Sequence, residues 1–337
     1  MSYPRGLTKG VEPFNPIELS RETEKIVIKG DKRKYNAFRI EQFYGQMATA
    51  RGVGCNLRCG FCWISPSRDY PESYGKFYSP GEVYEKLIEV SSNKYGRAIM
   101  SSGVRISGCE PTLGKEHLLS LIEISKKGKD FRWFLLETNG ILLGHDEEYV
   151  RALSQFKDYV KVRLSFKAGT AEDFQRKTGA NAKYFGLPFK ALDNLKKYGL
   201  AYQLASMSED PKIMKPQERI KLLEKIVQHG AENIKLLEEE TADPFGITKR
   251  RLVESGIIKK VEEVKTRVYE PLNNSLVRAL QAKRGKWKGE IKITSDELKE
   301  LIKNMSTRTR KSGCSSCHRQ NPWHGHNTED DLDNKLE

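Results

Sequence analysis

The stretch GQMATARGVGCNLRCGFC, residues 45–62, reads as a strand over about 45–53 that runs straight into a loop holding three thiols. Cys55, Cys59 and Cys62 stand at i, i+4 and i+7. A disulfide takes two cysteines, and tetrahedral zinc takes four ligands. Iron–sulfur clusters are held by cysteine thiolates, and three ligands on a cubane leave one iron without a protein ligand. Gly60 permits a tight approach in such a loop, and Phe61 is an apolar wall between the second and third thiols. Zinc completed from elsewhere and three buried structural cysteines are the rival readings. A trio on a loop directly after a strand favours the cluster.

Working outward from this loop, the sequence alternates short apolar runs with amphipathic stretches as far as residue 240. Strands are expected at 103–108, 132–137, 160–166, 201–206 and 233–238, besides 45–53. Helices are expected at 80–92, opened by Ser79-Pro80, and at 115–126, 146–156, 188–198 and 216–229. Strict alternation implies an α/β fold whose parallel sheet carries helices on one or both faces. The catalytic groups of such a fold sit on loops at the C-terminal strand ends. Residues 1–43 read as an N-terminal extension with one helix near 17–28, and 44–257 as the core. Residues 258–311 read as basic and mainly helical, with a short strand at 290–294. The segment 312–337 is rich in Gly, Ser, Asn and His, and ends in the acidic run EDDLDNKLE. No internal repeat is visible.

A chain of 337 residues with 31% charged and 37% hydrophobic residues has the balance of a soluble globular protein. It shows no basic-then-apolar leader and no run of about 18 apolar residues, so a cytoplasmic protein without a membrane partner is expected. Six cysteines in that setting argue for metal or redox work rather than a disulfide framework. The net charge is +14, and half of that excess falls in residues 278–311. Such a charge fits a polyanionic partner, and equally a Lys- and Glu-rich protein from a hot environment.

The pattern C-x3-C-x-aromatic-C after the first strand resembles the signature of the radical S-adenosylmethionine (SAM) superfamily. The resemblance covers about residues 44–240. It implies a partial (β/α)6 barrel and a 4Fe–4S cluster on Cys55, Cys59 and Cys62. It also implies that SAM chelates the open iron and that a donor such as ferredoxin or flavodoxin supplies electrons. Later strand ends agree with it. SGCEP, Ser107–Pro111, resembles the family's Gly-Gly-Glu-Pro segment, so Gly108, Glu110 and Pro111 would line the SAM amino group. Cys109 stands where glycine is usual, and is read as a small core side chain or as a radical or methyl acceptor. ETNG resembles the Thr-Asn-Gly turn, which assigns Thr138 and Asn139 to the cofactor; an ordinary strand-end turn is the other reading. LSFKAGTAEDFQRKTG resembles the Asp-x-Lys and downstream Thr-Gly pattern of glycyl-radical-activating enzymes. Lys167 would then pair with the SAM carboxylate, while Ser165 replaces the aspartate. Leu204 and Met207 would pack on the adenine or fill a buried strand.

The segment CSSCHRQNPWHGH holds Cys314, Cys317, His318, His324 and His326. Cys-x2-Cys is a two-ligand hook, which His324 and His326 would complete as a zinc site. An auxiliary iron–sulfur site and an unliganded tail are the alternatives. A metal-tied knuckle beside the basic stretch would form a contact surface for RNA, with Trp287 or Trp323 stacking on a base. The expectation is therefore a radical SAM enzyme that cleaves SAM reductively and takes hydrogen from a macromolecule, RNA foremost. A glycyl-radical-type protein or a small metabolite is the alternative substrate. A non-catalytic iron–sulfur protein that binds nucleic acid or carries electrons is the alternative outside catalysis.

Overall fold

A computed structural model describes residues 3–7, 10, 12–41, 46–64, 66–92, 103–242 and 245–260, together with 267–269, 296, 300, 303 and 309–311. Helix α1, Pro16–Val27, opens the ordered chain. Asn15 caps it by accepting hydrogen bonds from the Ile17 and Glu18 backbone N–H groups, and Pro16 takes the first helical position. A short strand β1, Ile28–Lys29, then pairs antiparallel with β2, Lys32–Glu41. β2 pairs antiparallel with β3, Met47–Gly52, and also with β4, Lys76–Tyr78. The sheet thus extends beyond the cysteine-bearing strand into residues that the sequence reads as an extension with one helix.

Along the sheet from β3 to β9 every pairing is parallel. The order runs β3, β5 (Val104–Ser107), β6 (Phe134–Thr138), β7 (Val160–Phe166), β8 (Ala201–Ser206), β9 (Leu237–Glu239). The connecting helices are α2 (Pro80–Ser92), α3 (Lys115–Gly128), α4 (Ile141–His145), α5 (Glu147–Leu153), α6 (Ala171–Thr178), α7 (Leu187–Lys197) and α8 (Pro216–Gln228), and α9 (Gly246–Glu254) follows β9. Among the described residues β9 pairs only with β8, so the six parallel strands make an unclosed, partial (β/α)6 barrel, as expected.

The alternation of side chains across each strand sorts them into two faces. Ala48, Ala50, Val104, Ile106, Phe134, Leu136, Val162, Leu164 and Leu204 pack against helix residues such as Leu87, Leu121, Leu192 and Leu222 to form the core. The opposite face is charged. Arg105 Nη1 meets Glu137 at 2.9 Å, and Arg163 Nη2 meets Glu238 at 2.8 Å and Glu240 at 2.6 Å.

Three expectations change. The strand expected at 233–238 is a 3-10 turn over Ala231–Leu236, and β9 starts only at Leu237. Asn233 is the cause: it is buried, donates to the His229 carbonyl and accepts from the Tyr202 hydroxyl at 2.8 Å. The helix expected over 146–156 is shorter, Glu147–Leu153, with a 3-10 turn after it. Inside the stretch quoted as LSFKAGTAEDFQRKTG lies helix α6, capped by Thr170, whose hydroxyl accepts from Asp173 N. Of the region expected to be mainly helical, residues 296, 300 and 303 are helical, and β10, Arg267–Tyr269, pairs antiparallel with β11, Thr309–Lys311. The strand expected at 290–294, Trp287 and Trp323, and Cys314, Cys317, His318, His324 and His326 lie outside the described residues. No described helix is long and apolar enough to cross a membrane.

Candidate functional site

The C-terminal ends of β3, β5 and β6 are joined into one hydrogen-bonded unit. Glu110 N donates to the Gly54 carbonyl at 3.0 Å, which ties the turn after β5 to the entrance of the cysteine loop. The buried Glu110 carboxylate reaches across to β6. Its Oε1 accepts from Thr112 N, Thr112 Oγ1 and Thr138 Oγ1, the last at 2.6 Å, and its Oε2 accepts from Asn139 N at 2.9 Å. Asn139 then returns to the loop, donating through Nδ2 to Asn56 Oδ1 at 2.7 Å. Four residues picked out from separate stretches of sequence (Cys55, Glu110, Thr138, Asn139) therefore belong to one assembly. Oε2 carries a single bond, which leaves it acceptor capacity.

Gly108 sits at φ 78°, in the left-handed region that favours glycine, and turns the chain sharply at the end of β5. Cys109 packs against the main core, and its Sγ accepts from Arg33 Nη2 at 3.3 Å. Burial pushes its thiol up to about 11, against the pull of the Arg33 guanidinium, so it stays neutral at ordinary pH. Fully buried Arg33 clamps this turn by donating to the carbonyls of Glu110, Pro111 and Leu113 as well. At the end of β7, Lys167 Nζ donates to Ser165 Oγ at 2.7 Å. Leu204 is wholly buried in the core on the helix-facing side, whereas Met207 packs beside a second apolar cluster.

That second cluster lies under the cysteine loop. Leu57, Cys59 and Phe61 pack with Phe14, Ile17, Ile141, Phe174, Ala180 and Leu252. The loop backbone is pinned from the far side by the Thr-Gly segment that closes α6: Arg58 N donates to Thr178 O at 3.0 Å and Gly60 N to Lys177 O at 2.9 Å. A Cβ on Gly60 would come within 2.4 Å of Ser255 Oγ, so only glycine lets the loop lie this close to the end of α9.

Three arginines hold the loop, and each takes the carbonyl of a different cysteine. Arg58 Nη1 donates to Cys55 O at 2.7 Å, Arg68 Nη1 to Cys59 O at 2.8 Å and Arg251 Nη1 to Cys62 O at 2.9 Å. One carboxylate faces all three: Asp69 lies 2.7 Å from Arg68, 2.5 Å from Arg251 and 3.8 Å from Arg58. All four residues are buried. The Nη2 atoms of Arg58 and Arg68 are buried with no hydrogen-bond partner. Little in the sequence signals this group, since Arg58 occupies an unassigned place in the cysteine motif and Arg251 lies 189 residues from Cys62.

The donor set suits a cluster. Burial pushes the Cys55 and Cys59 thiols up, with Lys167 drawing Cys59 back down. A bound metal deprotonates such thiols outright. Among the described residues no three His, Cys, Asp or Glu side chains are disposed to hold one metal ion. Ligands to separate irons of a cluster need not meet at one point. The unpartnered guanidinium donors fit an anionic group, as a thiolate-held cluster is.

Residues 50–207 match the model of the Radical SAM superfamily. A search of curated protein sequences finds no match. Among solved structures, native anSMEcpe with bound AdoMet and Cp18Cys peptide is 22% identical, with a TM-score of 0.40 over 57% of this chain and 49% of that one. TYW1 with a lysine–pyruvate adduct bound is 18% identical, with a TM-score of 0.44 over 74% and 90% of the two chains. Streptococcus suis SuiB bound to S-adenosylmethionine is 16% identical, with a TM-score of 0.45 over 69% and 46%. The chain spans about half the length of the first of these.

Proposed function

From the match of residues 50–207 to the Radical SAM superfamily model, we propose that the protein is a radical SAM enzyme that cleaves SAM reductively and abstracts hydrogen from a substrate. In this reading residues 44–257 are the catalytic core. Cys55, Cys59 and Cys62 hold a 4Fe–4S cluster beside Phe61. Gly108, Cys109, Glu110, Pro111, Thr138, Asn139, Ser165 and Lys167 line the SAM site. Bound there, cluster and SAM supply a 5′-deoxyadenosyl radical, with the electron coming from a ferredoxin or flavodoxin. The protein's part is positional. Glu110 holds two strand ends in register and offers Oε2 to an ammonium, Lys167 offers its own ammonium to a carboxylate, and Arg33 fixes the turn that carries Glu110. The observation that carries the reading is the assembly of the cysteine loop, Glu110, Thr138 and Asn139 at adjacent strand ends of a radical SAM domain.

For the substrate, the basic stretch 278–311 supports RNA, with Cys314, Cys317, His324 and His326 holding zinc beside it. The charged sheet face supports a second reading, a small polar metabolite that reaches Glu137 and Glu238. Anaerobic reconstitution followed by dithionite and SAM should yield 5′-deoxyadenosine by mass spectrometry, and the combined Cys55→Ala, Cys59→Ala, Cys62→Ala variant should yield none. Deuterium carried into 5′-deoxyadenosine from labelled RNA would identify the macromolecular substrate. Failure to bind SAM with a full cluster in place would overturn the reading.

A further inference from the structure

The charges around the cysteine loop do not balance. Among the described residues Arg58, Arg68 and Arg251 face one carboxylate, that of Asp69, so this buried group carries an excess of two positive charges. Unneutralised charge inside a protein is costly unless something compensates it. Two of the guanidiniums also keep a buried N–H group without a partner. Folding alone explains neither feature. Three cysteine carbonyls can be held by neutral donors, and a matched number of carboxylates would have been cheaper. The arrangement does make sense around an anion that gains charge. A 4Fe–4S core in its oxidised state, held by three thiolates, is a net monoanion, and one electron makes it a dianion. Reduction potentials of such centres are set by net charge, hydrogen bonding and solvent exposure.

We propose that Arg58, Arg68 and Arg251, restrained by Asp69, form a cationic shell that stabilises the reduced cluster and so sets its potential. This rests on the cluster assignment given above. The step is a one-electron reduction: a low-potential donor of the ferredoxin or flavodoxin class, or dithionite in the test, gives up the electron, and no bond in the protein forms or breaks. The arginines are positioning residues, acting on the cluster through their charge and through the cysteine backbone they hold. Asp69 opposes them, so its removal should act with the opposite sign.

The test is the midpoint potential of the reconstituted full-length protein, followed by the EPR signal of the reduced cluster during dithionite titration, with iron and sulfide counted per chain. Arg68→Gln and Arg251→Gln should each make reduction about tenfold less favourable, a shift of about 59 mV to more negative potential for a one-electron couple. Asp69→Asn should shift the potential positive, and Arg68→Lys, which keeps the charge, should stay close to the parent. If Arg68→Gln does not fold, the opposite signs of Arg251→Gln and Asp69→Asn still decide the matter. Unchanged potentials at full iron loading, or all variants moving the same way, would overturn the shell. Loss of the cluster from every neutral variant and from Arg68→Lys would also overturn it, making these residues mere loop-folding groups. A parent protein that takes up no cluster would instead remove the functional reading, and the shell with it.

Discussion

Two groups of buried charge lie at the C-terminal end of the sheet, and they differ in how they are neutralised. Beside β9, Arg219 meets Glu239 through two bonds, Nε to Oε1 at 2.8 Å and Nη2 to Oε2 at 2.7 Å, and Ser208 supplies a further donor to the same carboxylate. Both side chains are essentially out of solvent and pair with each other. Around the cysteine loop three guanidiniums share one carboxylate and leave two donors unused. The Arg219–Glu239 pair ties α8 to β9. In the proposal above, the anionic cluster completes the shell around the cysteine loop. The two groups are equally buried and differ in their charge balance among the described residues.

The hardest test of that division is to break the matched pair. Arg219→Ala strands the Glu239 carboxylate in a dry site, and removing one partner of a buried pair costs about 3–5 kcal/mol. Urea unfolding of the variant should show a loss in that range. A loss below about 1 kcal/mol, the value of an exposed pair, would mean that the site is wetter than its burial indicates. The contrast with the arginine shell would then lose its footing.

How much of this was legible in the sequence depends on the reach of each interaction. Strands β5 to β8 fall within a few residues of the expected runs, because alternation and apolar burial are local signals. The cysteine trio and the Gly-Cys-Glu-Pro turn were legible for the same reason: each is one short segment with unusual composition. Helix α6 was missed because its sequence was read as a motif, although Thr170 followed by Asp173 is an ordinary capping signal. The strand expected at 233–238 shows the converse: it starts only at Leu237, because Asn233 binds the His229 carbonyl within a 3-10 turn that includes apolar Ile234 and Leu236. The arginines were out of reach. Arg251 finds Asp69 across 182 residues and Arg33 finds Pro111 across 78, and no local periodicity encodes such pairings.

A third way to bury a titratable group is to keep it neutral, and His117 does so. Its Nδ1–H donates to the Asp31 carbonyl at 2.6 Å, because a carbonyl can only accept, and its Nε2 accepts from the Tyr35 hydroxyl at 2.9 Å. Burial, helped by the nearby Arg33 charge, lowers its pKa to about 4. The unfolded chain, with histidine near 6.5, therefore binds more protons than the folded one between those values. The contribution of His117 is fully present above pH 6.5, is lost as the pH falls toward 4, and amounts to about 3 kcal/mol over that window. Unfolding free energies at pH 7, 5.5 and 4 should trace the loss, and His117→Gln should flatten it. An equally steep slope in the variant would assign the acid sensitivity to other groups.

The smallest effect is expected where the contact is as short but the water is not excluded. Lys126 Nζ lies 2.6 Å from Asp158 Oδ1, closer than Arg219 to Glu239, yet the two side chains are 35% and 66% exposed. In high dielectric the attraction is weak, and ordering two mobile side chains offsets it. Lys126→Ala should therefore leave the urea midpoint within the scatter of repeat measurements, at low salt and high salt alike. A loss comparable to that of Arg219→Ala would make contact distance, rather than burial, the governing variable. Counting unneutralised buried charges would then say nothing about the cysteine loop. A null result keeps burial as the amplifier, under which two uncompensated arginine charges beside three thiols act strongly on any electron that arrives there.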